Sequence, residues 1–179
     1  MTKKSPMSAL VGAVDRPADR VPLDDVDLAL LQELSRDSRQ SQRALARAVG
    51  MSAPAVADRI ARLERFGVIR SYSVDIDWDR LGYDVSVYMP IILEAGNDLE
   101  PTLEAFRAIP ELEELVVVAG QYDLIARFRL SDHRRLRELL LDRVWQIPNV
   151  RRFETVLALG SLGGQDFATR MLAVHGEQG

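Results

Sequence analysis

Cysteine is absent from this 179-residue chain, and histidine occurs only twice, as His133 and His175. Without thiols the chain cannot form disulfides, use a thiolate nucleophile or build a cysteine-based metal site. Neither histidine has an evident partner for a catalytic triad or a metal site, and no phosphate-binding loop or nucleophile elbow is present. The sequence therefore does not favour an enzyme. We expect no catalytic residue, no metal and no cofactor.

Long apolar runs are also missing, and the first residues lack the apolar core of a signal peptide. We therefore expect a cytoplasmic protein without a membrane partner. Residues 1–21 mix Lys, Ser, Gly, Asp, Arg and Pro without periodicity, which predicts a disordered N-terminal arm.

Charge is distributed unevenly along the chain, although the formal net charge is only −4. Residues 36–70 contain eight arginines and three acidic residues, whereas residues 76–179 contain eleven basic and seventeen acidic residues. Phosphate contacts from Lys and Arg dominate affinity for nucleic acid. This distribution indicates a basic part that binds DNA, joined to an acidic part with another role.

Helix signals are strongest in the basic part. Asp24 is a plausible N-cap for a first helix that ends near Ser35, and Ser41 can cap a second helix. Gly50 then permits a tight turn, and Ser52 can cap a third helix. This pattern predicts a helix-turn-helix at about residues 42–61, within a DNA-binding domain of residues 22–74.

The third helix has an apolar stripe formed by Val56, Ile60 and Leu63, and Gly67 provides its stop. Asp58, Arg59, Arg62 and Arg65 lie largely off that stripe. A capped helix with arginines on its free face favours an acidic partner, which here is double-stranded DNA. The alternative is an ordinary helical bundle with a solvated charged surface.

Strand and helix signals alternate after a short strand predicted at residues 69–74 and a linker at residues 75–84. Strands are predicted at residues 85–93, 112–119, 122–130 and 150–159, and helices at residues 99–109 and 132–144. Gly120 and Gln121 fit a two-residue type II′ hairpin turn. The order βαββαβ predicts a ferredoxin-like domain over residues 85–160, followed by a tail of residues 161–179 with a short helix.

Two predicted strands are apolar on both faces, including the run at residues 115–119. Two helices can cover only one face of such a sheet, and a strand that is apolar on both sides needs cover on both. We therefore expect self-association through the other face. The alternative is that helices of the first domain cover it.

Taken together, these segments resemble the leucine-responsive regulator/AsnC (Lrp/AsnC) family of bacterial and archaeal transcription factors. The resemblance covers about residues 22–160, and its segments include Leu23-Asp24-x-x-Asp27, Leu45-Ala46-x-x-Val49-Gly50-Met51-Ser52, Arg59-Ile60-x-Arg62-Leu63-Glu64, Gly120-x-Tyr122-Asp123 and Pro148-Asn149-Val150.

The resemblance implies an α+β protein with an N-terminal winged helix-turn-helix domain and a C-terminal ferredoxin-like effector domain. Members pair through the C-terminal sheets and commonly stack dimers into rings, so a dimer or a higher oligomer such as an octamer is expected. The DNA-binding residues expected here are Arg43, Ser52, Ala53, Pro54, Ala55, Asp58, Arg59 and Arg62. Asp58 departs from the family pattern, since many relatives carry a basic residue there.

The resemblance also implies an effector, usually an amino acid, bound near Gly120, Gln121, Tyr122 and Asp123. Gly120 would free backbone N–H groups for a carboxylate, Tyr122 would supply a hydroxyl and a wall, and Asp123 would pair with an ammonium group. The local alternative is a plain hairpin with an exposed Asp123. The predicted function is therefore transcriptional regulation by an amino acid, with a ligand-independent architectural DNA-binding protein as the alternative.

Overall fold

The computed structural model describes residues 19–160 and 167–176, and it divides them into two compact units. The helical unit contains residues 19–75 and 167–176, and the sheet unit contains residues 76–160. Most of the predicted N-terminal arm, residues 1–18, lies outside the described residues. Within the two described ranges, no helix has both the length and the apolar character needed to cross a membrane.

Three helices form the first part of the helical unit: α1 (Asp25–Arg36), α2 (Gln42–Val49) and α3 (Ala53–Arg65). The three predicted N-caps are confirmed, since the side chains of Asp24, Ser41 and Ser52 accept backbone N–H groups of Asp27, Ala44 and Ala55. These bonds satisfy amide groups that have no partner within the helix.

The turn between α2 and α3 depends on Gly50, whose φ of 67° is in the left-handed region that favours glycine. The turn brings the apolar sides of the helices together, and Leu30, Leu45, Ala46 and Val56 form the buried core of this unit. The predicted helix-turn-helix is therefore confirmed.

The strand predicted at residues 69–74 is wrong, because these residues have no regular secondary structure. Gly67 ends α3 with a φ of 71°, and the amides of Val68 and Ile69 both donate to the Leu63 carbonyl. An extended segment becomes a strand only when a second strand pairs with it, and none does so among the described residues. The described part of the helical unit therefore has no β-wing.

The short tail helix predicted near the C-terminus is confirmed as α6 (Phe167–Gly176). It packs against α1, and the hydroxyl oxygens of Ser35 and Thr169 lie 3.5 Å apart. The helical unit is therefore built from two separate stretches of sequence.

The sheet unit follows the predicted βαββαβ order, and its ferredoxin-like fold is confirmed. Its elements are β1 (Val85–Leu93), α4 (Glu100–Arg107), β2 (Leu112–Val117), β3 (Leu124–Leu130), α5 (His133–Asp142), β4 (Val150–Phe153) and β5 (Val156–Leu157). Short 3₁₀ helices occupy Asp79–Leu81 and Val144–Gln146. The sheet is antiparallel with the order β2-β3-β1-β4, and β5 also pairs with β1.

Alternation along the central strands decides which face of the sheet is covered. Val87, Met89 and Ile91 of β1 are fully buried, in the same core as Phe106 of α4 and Leu139 of α5. The alternate side chains point to the other face, which carries Ser86, Tyr88, Pro90, Ile92, Val116, Ile125, Arg127 and Arg129 and which we call the open sheet face.

Two predicted boundaries in the sheet unit are wrong. The two-residue hairpin turn is instead a six-residue loop, residues 118–123, and the amide of its last residue, Asp123, donates to the Ile91 carbonyl of β1. The last strand is not continuous, since Glu154 and Thr155 separate β4 from β5. Glu154 nevertheless remains bonded to β1, since its amide donates to the Pro90 carbonyl.

Candidate functional site

A buried carboxylate connects the first and third helices of the helical unit. Asp27 of α1 is fully buried, and its Oδ1 atom lies 2.8 Å from Nη1 of Arg59. Its other oxygen, Oδ2, is the ion-pair partner of Arg62 and also accepts the Asp24 amide. The Asp24 carboxylate receives a second contact from Arg59, at 2.7 Å. We call these four residues the Asp27 cluster.

The hydrogen bond between Arg59 and Asp24 shifts the pKa of both side chains. It lowers the pKa of Asp24, with a further contribution from the amide of Asp27, and it raises the pKa of Arg59, with a further contribution from the Asp27 carboxylate. The charged state of each partner is therefore stabilised.

The structure places the other predicted DNA-binding residues at the surface of the same unit. Arg43 on α2 is exposed, as are Ser52, Pro54 and Asp58 at the start and in the middle of α3. Ala53 and Ala55 are half-buried. Arg59 and Arg62 differ from these, since their side chains are only 26% and 36% exposed and are paired within the Asp27 cluster.

In the sheet unit, the predicted effector residues lie together on the 118–123 loop. Gly120 and Gln121 are exposed, whereas Tyr122 and Asp123 are half-buried. Oδ2 of Asp123 accepts the Leu93 amide at 2.8 Å, and the Asp123 carbonyl accepts the Val118 amide at 3.1 Å. Gly120 has a φ of 154°, in a region that residues with a side chain rarely adopt. These contacts hold the loop against the end of β1.

Two further polar residues beside this loop, Arg152 and Glu154, were not predicted from the sequence. The Tyr122 hydroxyl donates to Oε2 of Glu154 at 2.9 Å, and Arg152 pairs with Oε1 of the same carboxylate. The hydrogen bond to Glu154, followed by burial, raises the pKa of Tyr122. The break that places Glu154 between β4 and β5 has no evident signal in the sequence, which predicts one continuous strand over residues 150–159.

The tip of the 118–123 loop, Gly120 and Gln121, is exposed. A cavity of about 500 Å³ in the sheet unit lies elsewhere, against Trp78, Tyr83 and Arg129. Over residues 19–160 and 167–176, no group of His, Asp or Glu side chains is arranged to hold a metal ion.

Comparison with known protein families identifies both units. An AsnC-type helix-turn-helix domain matches residues 23–64, which include the Asp27 cluster and all of α2. An Lrp/AsnC ligand-binding domain matches residues 86–163, which include the 118–123 loop and Glu154.

Individual relatives match most of the chain. The proline dehydrogenase transcriptional activator of Rhizobium radiobacter is 31% identical over 142 residues, which are 78% of this chain and 91% of that protein.

Solved structures share the fold. Escherichia coli AsnC superposes with a TM-score of 0.77 at 22% identity, covering 83% of this chain and 99% of that one. A transcriptional regulator from Neisseria meningitidis, solved as a complex with L-Met, gives a TM-score of 0.76 at 19% identity, covering 80% and 94%. At these identities the likeness shows the fold alone.

Proposed function

This chain belongs to the Lrp/AsnC family of helix-turn-helix transcriptional regulators, and from that premise we propose that an amino acid controls its assembly on double-stranded DNA. Within this proposal, residues 22–74 bind DNA, residues 75–84 link the two parts, and residues 85–160 bind the effector and form the oligomer. Because its partner is DNA, we place the protein in the cytoplasm, and no catalytic step is needed.

The start of α3 enters the major groove in this proposal, with Ser52, Ala53, Pro54 and Ala55 as its leading edge and Asp58 facing the groove. The exposed guanidinium group of Arg43 contacts a phosphate. Arg59 and Arg62 orient α3 through the Asp27 cluster, and only their remaining N–H groups are available to DNA. The arginines thus divide into one that clamps the DNA backbone and two that position the helix.

The effector binds at the 118–123 loop. Asp123 uses Oδ2 for the Leu93 amide, which leaves Oδ1 to accept from the ammonium group of an amino acid. The exposed backbone at Gly120 and Gln121 offers N–H groups to the ligand carboxylate, and Tyr122 forms a wall held in place by Glu154. This arrangement matches a zwitterion, which carries both charges on adjacent groups.

A second copy of the chain completes the site. The open sheet face exposes Tyr88 and Val116 by about two fifths of their surface. On this face Ile125 of β3 lies opposite Val116, and Arg127 lies opposite Tyr88. The observation that carries this proposal is a carboxylate that uses one of its two oxygens among the described residues, on a loop whose tip is exposed. An amino acid held between copies would change their packing and hence the spacing of paired α3 helices.

The test measures DNA binding and assembly with and without each common amino acid. We expect the full-length protein to select specific genomic fragments and to form dimers or larger species by light scattering. One amino acid should raise the melting temperature and change DNA affinity by roughly 5–150-fold, the range of a typical coupling free energy.

Asp123→Asn serves as the matched variant, because the amide oxygen still accepts the Leu93 amide while the negative charge is lost. The melting shift should disappear and DNA binding without effector should remain. An unchanged shift would exclude Asp123 as the ammonium partner. Binding of many sequences with similar affinity, together with no response to any amino acid, would favour an architectural protein.

A further inference from the structure

One strip of the α3 surface faces solvent along the whole helix, and it consists of Pro54, Asp58, Ala61 and Arg65. An α-helix turns by about 100° per residue, so these four positions fall within a sector of about 60°. All four are exposed, whereas Val56 and Leu63 on the opposite side are fully buried. We call this strip the outer strip of α3.

Half of the outer strip cannot form hydrogen bonds through its side chains. Pro54 and Ala61 are apolar, and Arg65 is the last residue of the helix. Asp58 occupies the middle of the strip, and within the described part of the chain its carboxylate has no hydrogen bond and no ion pair. A carboxylate is therefore the polar group that the centre of this strip presents to a partner.

Neighbouring arginines do not neutralise this carboxylate. Arg59 and Arg62 follow Asp58 along the helix, but both direct their guanidinium groups to Asp27 on α1. A negative charge near the phosphate backbone would weaken binding, so Asp58 is tolerated on this face only where it meets a hydrogen-bond donor.

We propose that Asp58 is a specificity-determining residue that selects a cytosine–guanine pair in the DNA, an inference that rests on the proposed entry of α3 into the major groove. An ionised carboxylate only accepts hydrogen bonds. The donors on base edges in the major groove are the amino groups of cytosine and adenine, and the adenine amino group lies beside the acceptor N7. The cytosine N4 amino group is accordingly the partner that carboxylates take.

The small side chains around Asp58 support close approach to the bases. Ala57, one position before it, and Ala61, one turn after it, project only a methyl group. The side chain of Asp58 is short. It can reach a base edge only if the neighbouring side chains are small enough to let the helix approach the floor of the groove. The middle of the outer strip therefore combines small side chains with one hydrogen-bond acceptor.

The experiment selects bound sequences from a random DNA library with the full-length protein and three variants. The unaltered protein should prefer cytosine by about tenfold at one position of each half-site. Asp58→Ala should reduce that preference to near equality and leave the other positions unchanged. Asp58→Asn should shift it towards adenine, because an amide can bond N6 and N7 together.

Glu64→Gln is the charge-matched control, since it also removes one negative charge from an exposed position of α3 but lies off the outer strip. The Gln amide oxygen can still accept from the Tyr72 hydroxyl, as Glu64 does. Its selected sequences should match those of the unaltered protein.

Each remaining outcome decides against the proposal. Retention of the cytosine preference by Asp58→Ala overturns it, as does the same loss of preference in Glu64→Gln, which would show a long-range charge effect. A selected motif without a cytosine–guanine pair overturns the role of Asp58 while DNA recognition by α3 stands. Absence of any selected motif from the unaltered protein overturns both.

Discussion

Asp27 in the helical unit and Asp123 in the sheet unit are both carboxylates with partners inside their own unit, but the partners are of different kinds. Asp27 is fully buried and pairs with the side chains of Arg59 and Arg62. Asp123 is half-buried and accepts one backbone amide, that of Leu93. One carboxylate positions another helix, and the other holds its own loop.

In each unit, the partners of the carboxylate determine whether one of its oxygens is still available to accept a hydrogen bond. Both oxygens of Asp27 are occupied, so it can support α3 but cannot itself bind a ligand. Asp123 uses one oxygen for the fold, and in our proposal the other accepts a hydrogen bond from the ligand. Removing charge should therefore damage the helical unit through stability and the sheet unit through ligand binding.

The largest expected effect is that of Asp27→Ala. It leaves two arginines without their shared carboxylate and should destabilise the helical unit by about 3 kcal/mol, the lower end for a broken buried ion pair, since both arginine side chains are partly exposed. Thermal unfolding followed by circular dichroism measures the change. Asp25→Ala removes an exposed charge from the same helix turn and should cost under about 1 kcal/mol. Equal losses would mean that Asp27 acts only through the charge of the first turn.

Gly120→Ala tests whether the backbone conformation of the 118–123 loop in the sheet unit requires glycine. The φ of 154° is strained for any residue with a side chain, so we expect a loss of about 1–2 kcal/mol in the stability of the sheet unit. Gly160→Ala is the control, because a Cβ there also meets open space but the backbone is not in the left-handed region. If both variants have the same melting temperature, the conformation of the 118–123 loop does not depend on glycine.

Arg43→Ala and Arg62→Ala separate phosphate contact from helix positioning. Loss of a phosphate contact should reduce the slope of log affinity against log salt by about 0.9, and we expect this for Arg43. Arg62→Ala should weaken DNA binding and lower the melting temperature with little change in slope, because Asp27 already holds its charge. A reduced slope for Arg62→Ala would show that it contacts DNA directly.

The smallest expected effect concerns the pH dependence of Tyr122. The pKa of Tyr122 is raised chiefly by the hydrogen bond to Glu154. This contact therefore stabilises the fold at pH values below the ordinary tyrosine pKa of about 10. Its contribution is lost as the pH rises through the pKa of Tyr122 in the folded protein. Ultraviolet titration of tyrosinate should show a lower pKa for Tyr122 in Glu154→Gln, with Tyr122→Phe identifying the signal. An unchanged titration would remove Glu154 as the cause.

Local signals account for the elements that the sequence predicted well. Asp24, Ser41 and Ser52 cap their helices with bonds to residues three positions ahead, and Gly50 forms its turn alone. Such contacts need no knowledge of the rest of the fold. The same holds for the period-two burial of β3, from Leu124 to Leu130.

Contacts between distant residues account for what the sequence did not predict. The side chains of Arg59 and Arg62 are paired with α1 because Asp27 lies more than thirty positions earlier and is buried beside them. Glu154 joins Tyr122 only because β4 and the 118–123 loop meet at the same end of β1. Periodicity reports which face of an element is apolar, but it does not report which polar groups meet across the sheet.

The packing of α6 on α1 has a consequence for how the protein is made. Among the described residues, the chain leaves the helical unit after residue 75 and returns to it with the helix that starts at Phe167. During synthesis on the ribosome, the effector segment emerges before the DNA-binding unit has received its last helix. A nascent chain that stops short of Phe167 therefore contains α3 in a helical unit that still lacks α6.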